Sequence, residues 1–360
     1  MAFIFHYQQK FTSSILLLTI LTISLCSNTL LSLPVKDGLT ENRLLEEDRV
    51  RNLYEQWIID YSRNYNNNEE KEYRFNIFKQ NLNYIEASNK ANNGTYMLAI
   101  NQFGDITHEE FVAKYTGLKS PLLENMSSST PFRYENVTRI PSSIDWRSKG
   151  AVTQVKNQEA CGSCWAFAVV AAVEGINQIV SHNLTSLSEQ ELVDCDRKGK
   201  DSGCEGGLLG PAYEYIAHNG GLVTEKKYPY KGVDEICSKS MTKNPIVKIN
   251  GYENVPSKNE TALLKALANQ PISVAIEATS DVQFYSSGVF TGECGTYLNH
   301  AVTVVGYGTA KDVKNKTYWL IKNSWGVKWG EKGYMRLERG VKAKEGLCGI
   351  AMMAKYPTIK

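Results

Sequence analysis

The sequence predicts an α+β fold for its second part, preceded by a mainly helical segment. Apolar residues at helical spacing are concentrated before residue 220, whereas β-rich segments dominate beyond residue 245. A polar, Ser-rich stretch at 118–139, typical of a linker, separates the two parts. Helices first and strands later indicate one unit, residues 140–360, that contains a helical lobe and a sheet lobe.

Residues 1–27 are typical of a secretory signal peptide. Lys10 is followed by an apolar core from Ile15 to Leu25 and by small residues near Ser27. A retained membrane anchor is the alternative, but the core is short for a membrane span and rich in Thr and Ser. We therefore expect an exported protein, with no membrane association after cleavage.

The composition is that of an ordinary globular protein. The chain of 360 residues is 42% hydrophobic and 22% charged, which argues against disorder. Its length allows about two domains. The net charge of +2 gives no electrostatic reason to expect a nucleic-acid partner.

Two helices are predicted in the first part. The first covers 41–65 and places Leu53, Trp57 and Tyr61 on one face at a spacing of four. The second covers 68–92. Its common face is formed by Phe78, Leu82, Ile85 and Asn89.

A strand and a third helix complete this helical core, which extends over residues 41–117. The segment 95–107 alternates like a short strand. Thr107 is then the expected N-cap of a helix over 108–115.

Three further helices and several strands are predicted beyond the linker. A long apolar helix runs from Cys164 to about Val180, and Ser188 caps a second, short helix. A third helix ends at Gly220 and Gly221. The β-rich segments are 245–255, 272–278, 299–308, 317–325 and 333–340.

The cysteine count becomes odd when the signal peptide is removed. Of the eight cysteines, Cys26 leaves with the signal peptide, and the others all lie beyond residue 160. In an oxidising compartment this favours three disulfides and one free thiol. Six Asn-X-Ser/Thr patterns suit a secretory route. The candidate glycosylation sites are Asn93, Asn125, Asn136, Asn183, Asn259 and Asn315.

The stretch NQEACGSC places Cys161 and Cys164 at the front of the long apolar helix. A zinc site would need two more ligands at compatible spacing, and a redox pair would belong with a βαβ pattern; the sequence has neither. One disulfide partner and one reactive thiol remain. Cys161 lies in a Gly-rich loop, whereas Cys164 begins a helix, whose N–H groups favour the thiolate and lower the thiol pKa. Cys164 is therefore the candidate nucleophile, and a buried or bridged Cys164 is the alternative.

A thiolate nucleophile needs a base beside it. His182 lies in a polar turn and His218 in the last turn of a helix, whereas His300 begins an apolar strand that would hold its ring rigidly. Asn323, at the end of the next strand, carries an oxygen that can accept the other ring N–H of the histidine. Trp325 could screen that contact from water.

The stretches QEACGSCWAF, NHAVTVVGYG and NSWGVKWG resemble, in this order, the three catalytic blocks of papain-like cysteine peptidases. The resemblance implies a papain-like two-lobed fold, with a cleft between a helical lobe and a β-barrel-like sheet lobe. It also implies that Cys164 is the nucleophile, that His300 is its ion-pair partner and general acid, and that Asn323 orients His300. Gln158 would donate its side-chain amide to the oxyanion, beside the backbone N–H of Cys164.

Two residues depart from the common pattern of this family. Glu159 stands where Gly usually follows the oxyanion Gln, and Ala168 replaces a Ser. Glu159 would bring a side chain and a negative charge near the oxyanion site. Neither change removes a catalytic atom.

The resemblance further implies the disulfides and the substrate site. The implied cysteine pairs are Cys161 with Cys204, Cys195 with Cys237, and Cys294 with Cys348. Gly206 and Gly207 would let a substrate backbone approach and pair as an extended strand. The pocket for the residue two before the cut (P2) is apolar, which implies a bulky hydrophobic P2 residue. Its implied lining residues are Leu208, Leu209, Ala275, Leu298, Ala301 and Met353.

The helical core resembles the inhibitory propeptide of the same family, which would cover residues 28–139. In that family the segment threads the active cleft backwards and is removed in acid, here close to Ile140. Ala99 stands where a Gly is usual. The matching residues of the helical signature are Glu70, Arg74, Phe78, Asn81, Ile85 and Asn89, and those of the second motif are Asn101, Phe103 and Asp105.

The sequence therefore predicts the zymogen of a cysteine endopeptidase, without a long His-bearing insertion that would make it an exopeptidase. Within this family, the sequence most resembles plant vacuolar or secreted members. The expected partners are peptide substrates, the chain's own propeptide and cystatin-like inhibitors, and the expected state is a monomer. No metal or organic cofactor is implied. The alternatives are a catalytically silent homologue that acts as a binding protein, and a Cys–His acyltransferase or transglutaminase.

Overall fold

The computed structural model describes residues 38–92, 94–119, 132–197 and 199–359. The expected signal peptide, Cys26, Asn93, Asn125 and most of the expected linker lie outside the described residues. Residues up to Arg63 and residues from Asn64 onward form two separate units.

The first unit contains helix α1, Gly38–Asp60. The rings of Tyr54 and Trp57 stack, with 6.0 Å between their centroids. Both are buried, whereas Leu53 is 43% exposed. The predicted face was therefore wrong at Leu53. Because an α-helix has about 3.6 residues per turn, residues spaced strictly four apart shift gradually around its surface and do not stay on one face.

The second unit begins with helix α2, Asn68–Ala91, close to the predicted bounds. Strand β1, Tyr96–Leu98, is much shorter than predicted. Helix α3, His108–Tyr115, begins as predicted at Thr107, whose side chain accepts from the backbone N–H of Glu110. The Glu110 carboxylate accepts in return from the backbone N–H of Thr107 at 2.9 Å, which completes a capping box.

Three α-helices and a short 3₁₀ turn form the helical lobe. They are α4, Cys164–Ser181; α5, Glu189–Cys195; the 3₁₀ turn Gly203–Glu205; and α6, Leu209–His218. Ser188 caps α5 as predicted, accepting from the backbone N–H of Glu191 at 3.0 Å. In the part of the chain that the structure describes, α4 is the one helix long and apolar enough to cross a membrane, but most of it is buried inside the protein.

The sheet lobe is built from strands beyond β1. Its strands are β2, Ile144–Asp145; β3, Gly251–Asn254; β4, Ile272–Ile276; β5, Tyr285–Phe290; β6, His300–Ala310; β7, Lys316–Lys322; β8, Tyr334–Glu338; and β9, Ala354–Thr358. Together with β1 they form one sheet in the order β1-β5-β8-β7-β6-β4-β9-β3, with β2 on β6. Pairing is antiparallel except between β5 and β8. Helices α7, Glu260–Leu267, and α8, Ser280–Gln283, lie between strands, and Leu347–Gly349 forms a 3₁₀ turn.

Helix α4 joins the two lobes. Its Ala168 carbonyl accepts from the hydroxyl of Ser273 on β4 at 2.7 Å and from that of Thr303 on β6 at 3.1 Å. These bonds hold the buried helix against the start of β6. The first residue of α4 and the first residue of β6 are therefore fixed relative to each other.

Candidate active site

Cys164 and His300 are the first residues of α4 and β6, and Asn323 follows β7 directly. Strands β6 and β7 are paired, with Thr303 opposite Lys322, so His300 and Asn323 lie at the same end of the sheet. The buried thiol lies beside β6, because its Sγ accepts from the Ala301 backbone N–H at 3.4 Å. The structure thus brings the three predicted residues together.

The imidazole of His300 is held from two sides. Its Nε2 is 2.8 Å from Oδ1 of Asn323. The Trp325 ring stacks on it, with 4.4 Å between centroids and 20° between planes. Among the described residues, nothing hydrogen-bonds its buried Nδ1, which leaves that nitrogen for the neighbouring thiol.

Gln158 is buried, and both ends of its side-chain amide are bound. Its Oε1 accepts from the Ser324 hydroxyl at 2.6 Å. Its Nε2 donates to the carbonyl of Cys161 at 2.9 Å and to that of Tyr115 at 3.1 Å. Trp325 Nε1 donates to the same Tyr115 carbonyl at 2.8 Å, so a polar oxygen already lies where these donors converge.

Burial reverses the expected protonation of the cysteine–histidine pair. Burial raises the pKa of Cys164 to about 12, although the backbone N–H groups of Ala301 and Trp165 act in the opposite direction. Burial also lowers the pKa of His300 to about 4, against the hydrogen bond from Asn323. The expectation of a lowered thiol pKa was therefore wrong for this closed chain, because desolvation outweighs the helix N-terminus. In the closed chain, burial therefore favours the neutral thiol and the neutral imidazole.

Residues that follow α3 cover the thiol. The backbone N–H groups of Gly117 and Leu118 donate to the Asn299 carbonyl at 3.2 and 3.0 Å. Gly207 donates to the Gly117 carbonyl at 2.9 Å and accepts from Lys119 at 3.0 Å. Leu118 and Gly207 therefore form an isolated parallel β-bridge. We call residues Tyr115–Lys119 the covering segment.

The covering segment comes closest to the wall of the cleft at Gly117, and it fits there only because this residue has no side chain. A Cβ atom on Gly117 would lie 2.0 Å from the Gly162 carbonyl oxygen, and the φ angle of Gly117 is +139°. On the facing wall, a Cβ on Gly206 would lie 2.6 Å from the Gly117 oxygen, and one on Gly207 would lie 2.5 Å from the Trp165 ring. Both predicted substrate-binding glycines thus lie in the covered cleft.

The covering segment places an apolar side chain among the predicted P2 residues. Leu118 belongs to one buried cluster together with most of them. The predicted P2 residues that belong to this cluster are Leu209, Ala275, Leu298, Ala301 and Met353. Leu208 is also buried, but it lies outside the cluster, and its backbone N–H donates to Asp201 at 2.7 Å.

The cysteines beyond residue 160 form three disulfides and one free, buried thiol. The disulfides join Cys161 to Cys204, Cys195 to Cys237, and Cys294 to Cys348. The free thiol is Cys164. The predicted glycosylation residues Asn136, Asn183, Asn259 and Asn315 are exposed.

Most polar residues of the propeptide-like motifs bind backbone groups. Asn81 Nδ2 donates to the carbonyls of Gly104 and Ile106 at 2.9 Å. Asn101 Nδ2 donates to the Gln283 carbonyl at 2.8 Å. Asn89 exchanges two bonds with the Leu98 backbone at 2.8 and 2.9 Å. The remaining contacts include Arg74 Nη1 on Glu110 at 2.8 Å, and Glu70 Oε2 accepting from the Asn66 backbone at 3.0 Å.

Aromatic and acidic motif residues complete this part of the structure. Phe78, Ile85 and Phe103 are buried. The edge of Phe103 meets the Trp325 ring, with 5.7 Å between centroids. The Asp105 carboxylate accepts from the Tyr65 hydroxyl at 2.9 Å.

Sequence reasoning missed Tyr115, Gly117, Asn299 and Ser324. Gly117, two residues after the end of a predicted helix, was the available signal, but a glycine there is also an ordinary helix terminator. Glu159 is exposed, with a φ angle of +57°. This left-handed conformation suits the glycine that is usual in the family.

The chain is similar to known proteins over most of its length. The sequence profile of the papain family cysteine proteases matches residues 140–358, and that of the cathepsin propeptide inhibitor domain matches residues 54–111. The senescence-specific cysteine protease SAG12 of Arabidopsis thaliana is 50% identical over 343 residues, covering 93% of this chain and 95% of that protein. Vignain of Ricinus communis is 52% identical over 328 residues, covering 89% of each chain. The crystal structure of the ragweed pollen allergen Amb a 11, a cysteine protease in its proform, superposes with a TM-score of 0.82 at 45% identity, covering 89% of this chain and 98% of that one.

Proposed function

The chain belongs to the papain family of cysteine proteases and carries a cathepsin-type propeptide inhibitor domain, and on this premise we propose that it is the secretory precursor of an endopeptidase that prefers a hydrophobic P2 residue. The observation that carries the proposal is the bond of 2.8 Å between His300 Nε2 and Asn323 Oδ1, beside the thiol of Cys164. This bond leaves Nδ1 of His300 for the proton of the thiol.

In the proposed reaction, Nδ1 of His300 takes the proton from Cys164, and the thiolate attacks the carbonyl carbon of the substrate. The C–N bond then breaks, and the imidazolium gives its proton to the leaving amine. Water, activated by His300, hydrolyses the thioester and restores the thiol. Asn323 keeps the imidazole in one orientation throughout.

The oxyanion that forms during attack needs fixed donors. Gln158 Nε2 and the backbone N–H of Cys164 are our candidates. The bond of 2.6 Å from the Ser324 hydroxyl to Gln158 supports this role, because it holds the amide before the substrate arrives. One such donor contributes about 3 kcal/mol in the transition state.

The P2 preference is supported by the contents of the apolar cluster. Leu118 packs with Leu209, Ala275 and Met353, and the side chains of the predicted lining residues are all apolar. A substrate that placed Leu or Phe there would bury a similar apolar area, worth about 2 kcal/mol. Gly206 and Gly207 would pair with its backbone.

We propose residues 1–27 as the signal peptide, 28–139 as the propeptide and 140–360 as the peptidase domain. The covering segment would keep the precursor inactive, and cleavage near Ile140 in an acidic compartment would release it. The destination would be a vacuole, a lysosome-like compartment or the extracellular space. We also propose that some of the exposed Asn-X-Ser/Thr sites are glycosylated. Cystatin-like proteins would inhibit the enzyme, and the enzyme would be a monomer.

The test is a time course on purified precursor at mildly acidic pH with a reducing agent. Cleavage of a fluorogenic peptide with Leu or Phe at P2 should increase as the propeptide is lost. A matched peptide with Arg at P2 should be cut at least tenfold more slowly, and a Cys164→Ser precursor should cut neither. If the propeptide is lost and Cys164 can be alkylated, but no peptide is cut, the proposed activity is wrong and the chain is a silent homologue.

A further inference from the structure

The edge of the sheet formed by β3 and β9 holds a segment of the chain that lies between the covering segment and the peptidase domain. We propose that Glu253, Gln270 and Tyr356 form a second peptide-binding site, separate from the catalytic cleft, for a peptide that carries an arginine between two aromatic residues. In the precursor this site, which we call the β3–β9 site, is filled by the chain's own residues 132–135.

The arginine of this segment makes the central contact. Nε and Nη2 of Arg133 lie 2.8 and 2.5 Å from Oε1 of Glu253. The backbone N–H of Arg133 also points to Oε2 of the same carboxylate, at 3.4 Å. The ion pair raises the pKa of Arg133, and despite desolvation the pKa of Glu253 lies below its ordinary value. The Glu253 side chain is only 14% exposed, so the arginine is recognised by a largely buried carboxylate.

The two flanking aromatic residues pack on one tyrosine. The rings of Phe132 and Tyr134 lie 6.4 and 5.2 Å from the Tyr356 ring, centroid to centroid. The Tyr134 hydroxyl donates to Oε1 of Gln270 at 2.9 Å. Aromatic residues on both sides of the arginine thus contribute apolar contact and a directed hydrogen bond.

The site is built by the peptidase domain itself. Glu253 on β3 pairs with Tyr356 on β9, and the Tyr356 hydroxyl donates to Oε2 of Glu253 at 2.6 Å. Gln270 Nε2 donates to the Pro357 carbonyl at 3.0 Å. These bonds remain when the segment leaves, whereas Oε1 of Glu253 loses the guanidinium that it accepts from. An empty β3–β9 site would therefore present a positioned carboxylate beside an aromatic ring.

A groove continues from the occupied site. A cavity of about 530 Å³ adjoins the segment, and its wall includes residues of the segment itself. Lys265 of α7 donates to the Glu135 carbonyl at 2.6 Å. Loss of the segment would join its own space to this cavity. Among the residues that line the cavity are Phe132, Glu135, Val255, Ala262, Lys265 and Met352.

This inference rests on the proposed maturation near Ile140, because that cleavage separates residues 132–135 from the peptidase domain. The vacated site would then take the same chemistry from a second molecule. The fitting partner is a protein or peptide with an exposed aromatic–Arg–aromatic segment. Its binding would not require access to Cys164.

The decisive experiment measures the binding of a labelled peptide, FRYENV, to the matured enzyme after its thiol is blocked with iodoacetamide. Fluorescence anisotropy should show saturable binding, at least tenfold weaker for the same peptide with Arg133→Ala. Glu253→Gln in the enzyme should weaken binding by a similar factor, and Tyr356→Phe should weaken it less. Activity on the fluorogenic peptide before blocking shows that each variant is folded. Equal binding of the two peptides, or no binding of either, would overturn the inference.

A second measurement separates this inference from the maturation proposal. In a Cys164→Ser precursor, Glu253→Gln should increase hydrogen exchange of the amides of Glu135 and Val137, whereas Asp312→Asn, in an arginine pair elsewhere, should not. If the matured chain still contains residues 132–135, the maturation proposal fails. The hydrogen-exchange measurement on the precursor then tests the β3–β9 site by itself. Unchanged exchange in Glu253→Gln would then overturn it.

Discussion

The carbonyl oxygen of Tyr115 lies 3.1 Å from the side-chain nitrogen of Gln158. A residue of the proposed propeptide therefore binds the donor that we assign to the substrate oxyanion. The next residues of the chain pair with Asn299 and Gly207 and place Leu118 in the apolar cluster. The covering segment thus takes up the contacts that we propose for a substrate, but it runs parallel to Gly207.

Replacing Gln158 by Ala should lower kcat by about 10²- to 10³-fold with little change in KM, because its amide is proposed to bind the oxyanion formed only during reaction. The variant precursor can be matured with a trace of wild-type enzyme, which is then removed. Ser324→Ala is the matched control. It leaves the amide in place but removes the bond of 2.6 Å that orients it, so we expect a loss of about tenfold. Wild-type kcat in the Gln158 variant would exclude the assigned role.

The pH dependence of opening should be controlled by His300. Burial holds its pKa at about 4 in the closed precursor, below the ordinary value of 6.5. An opened cleft readmits water, so the open form binds more protons than the closed form between these values. Opening should therefore become more favourable as the pH falls from about 6.5 to 4. The raised pKa of Cys164 acts only at alkaline pH, where opening would release a proton.

Hydrogen exchange of the Gly117 and Leu118 amides, corrected for intrinsic rates, measures this opening in a Cys164→Ser precursor. Their protection should decrease by up to about tenfold per pH unit within the window. The matched control adds His300→Gln, which cannot titrate and should give a flat profile. If amide protection in this control depends on pH as strongly as in the parent, groups other than His300 cause the acid response.

The secondary structure could be predicted where periodicity is local. Helices α2, α3 and α4 follow such patterns and have the expected bounds within a few residues. Strand β5 was missed because YSSGVF is polar and Gly-containing, and its pairing with β1 and β8 is remote in sequence. Strand β9, AKYPT, was also missed because it contains Lys and Pro, although it is buried between β3 and β4.

The candidate site shows the same limit. Cys164, His300 and Asn323 could be proposed as candidates because each lies at the end of an element that the sequence marks, and the structure brings the three together. The protonation of the cysteine–histidine pair could not be predicted. Burial under a segment far earlier in the chain favours the neutral forms, whereas a helix N-terminus seen alone indicates the opposite direction.

Glu159 should be replaceable by Gly with a gain in stability. Its φ angle of +57° is unfavourable for a residue with a side chain, and the side chain is exposed. Relief of this strain should exceed the entropy that Gly adds to the unfolded chain, so we expect about 1 kcal/mol in the free energy of unfolding and an increase of about 2 °C in Tm. Calorimetry on the Cys164→Ser precursor measures it. Glu159→Ala is the control and should not stabilise, and an equal gain from Ala would point to charge rather than strain.

Gly117→Ala should open the cleft of the precursor at neutral pH. The new Cβ would lie 2.0 Å from the Gly162 carbonyl oxygen, a backbone atom that cannot rotate away, so the covering segment must move. We expect Cys164 in the variant precursor to react with iodoacetamide at pH 7 at least tenfold faster than in the wild type, with activity on the fluorogenic peptide before acidification. Gly94→Ala is the matched control, because Gly94 also has a positive φ angle, of +68°, but its added Cβ meets nothing within 4 Å. It also adds a side chain at a positive φ angle, within the residues matched by the propeptide inhibitor profile, but makes no new contact. If both variants are alkylated faster than the wild type and at the same rate, strain anywhere in the propeptide opens the precursor. The contact between Gly117 and Gly162 would then not control access to the thiol.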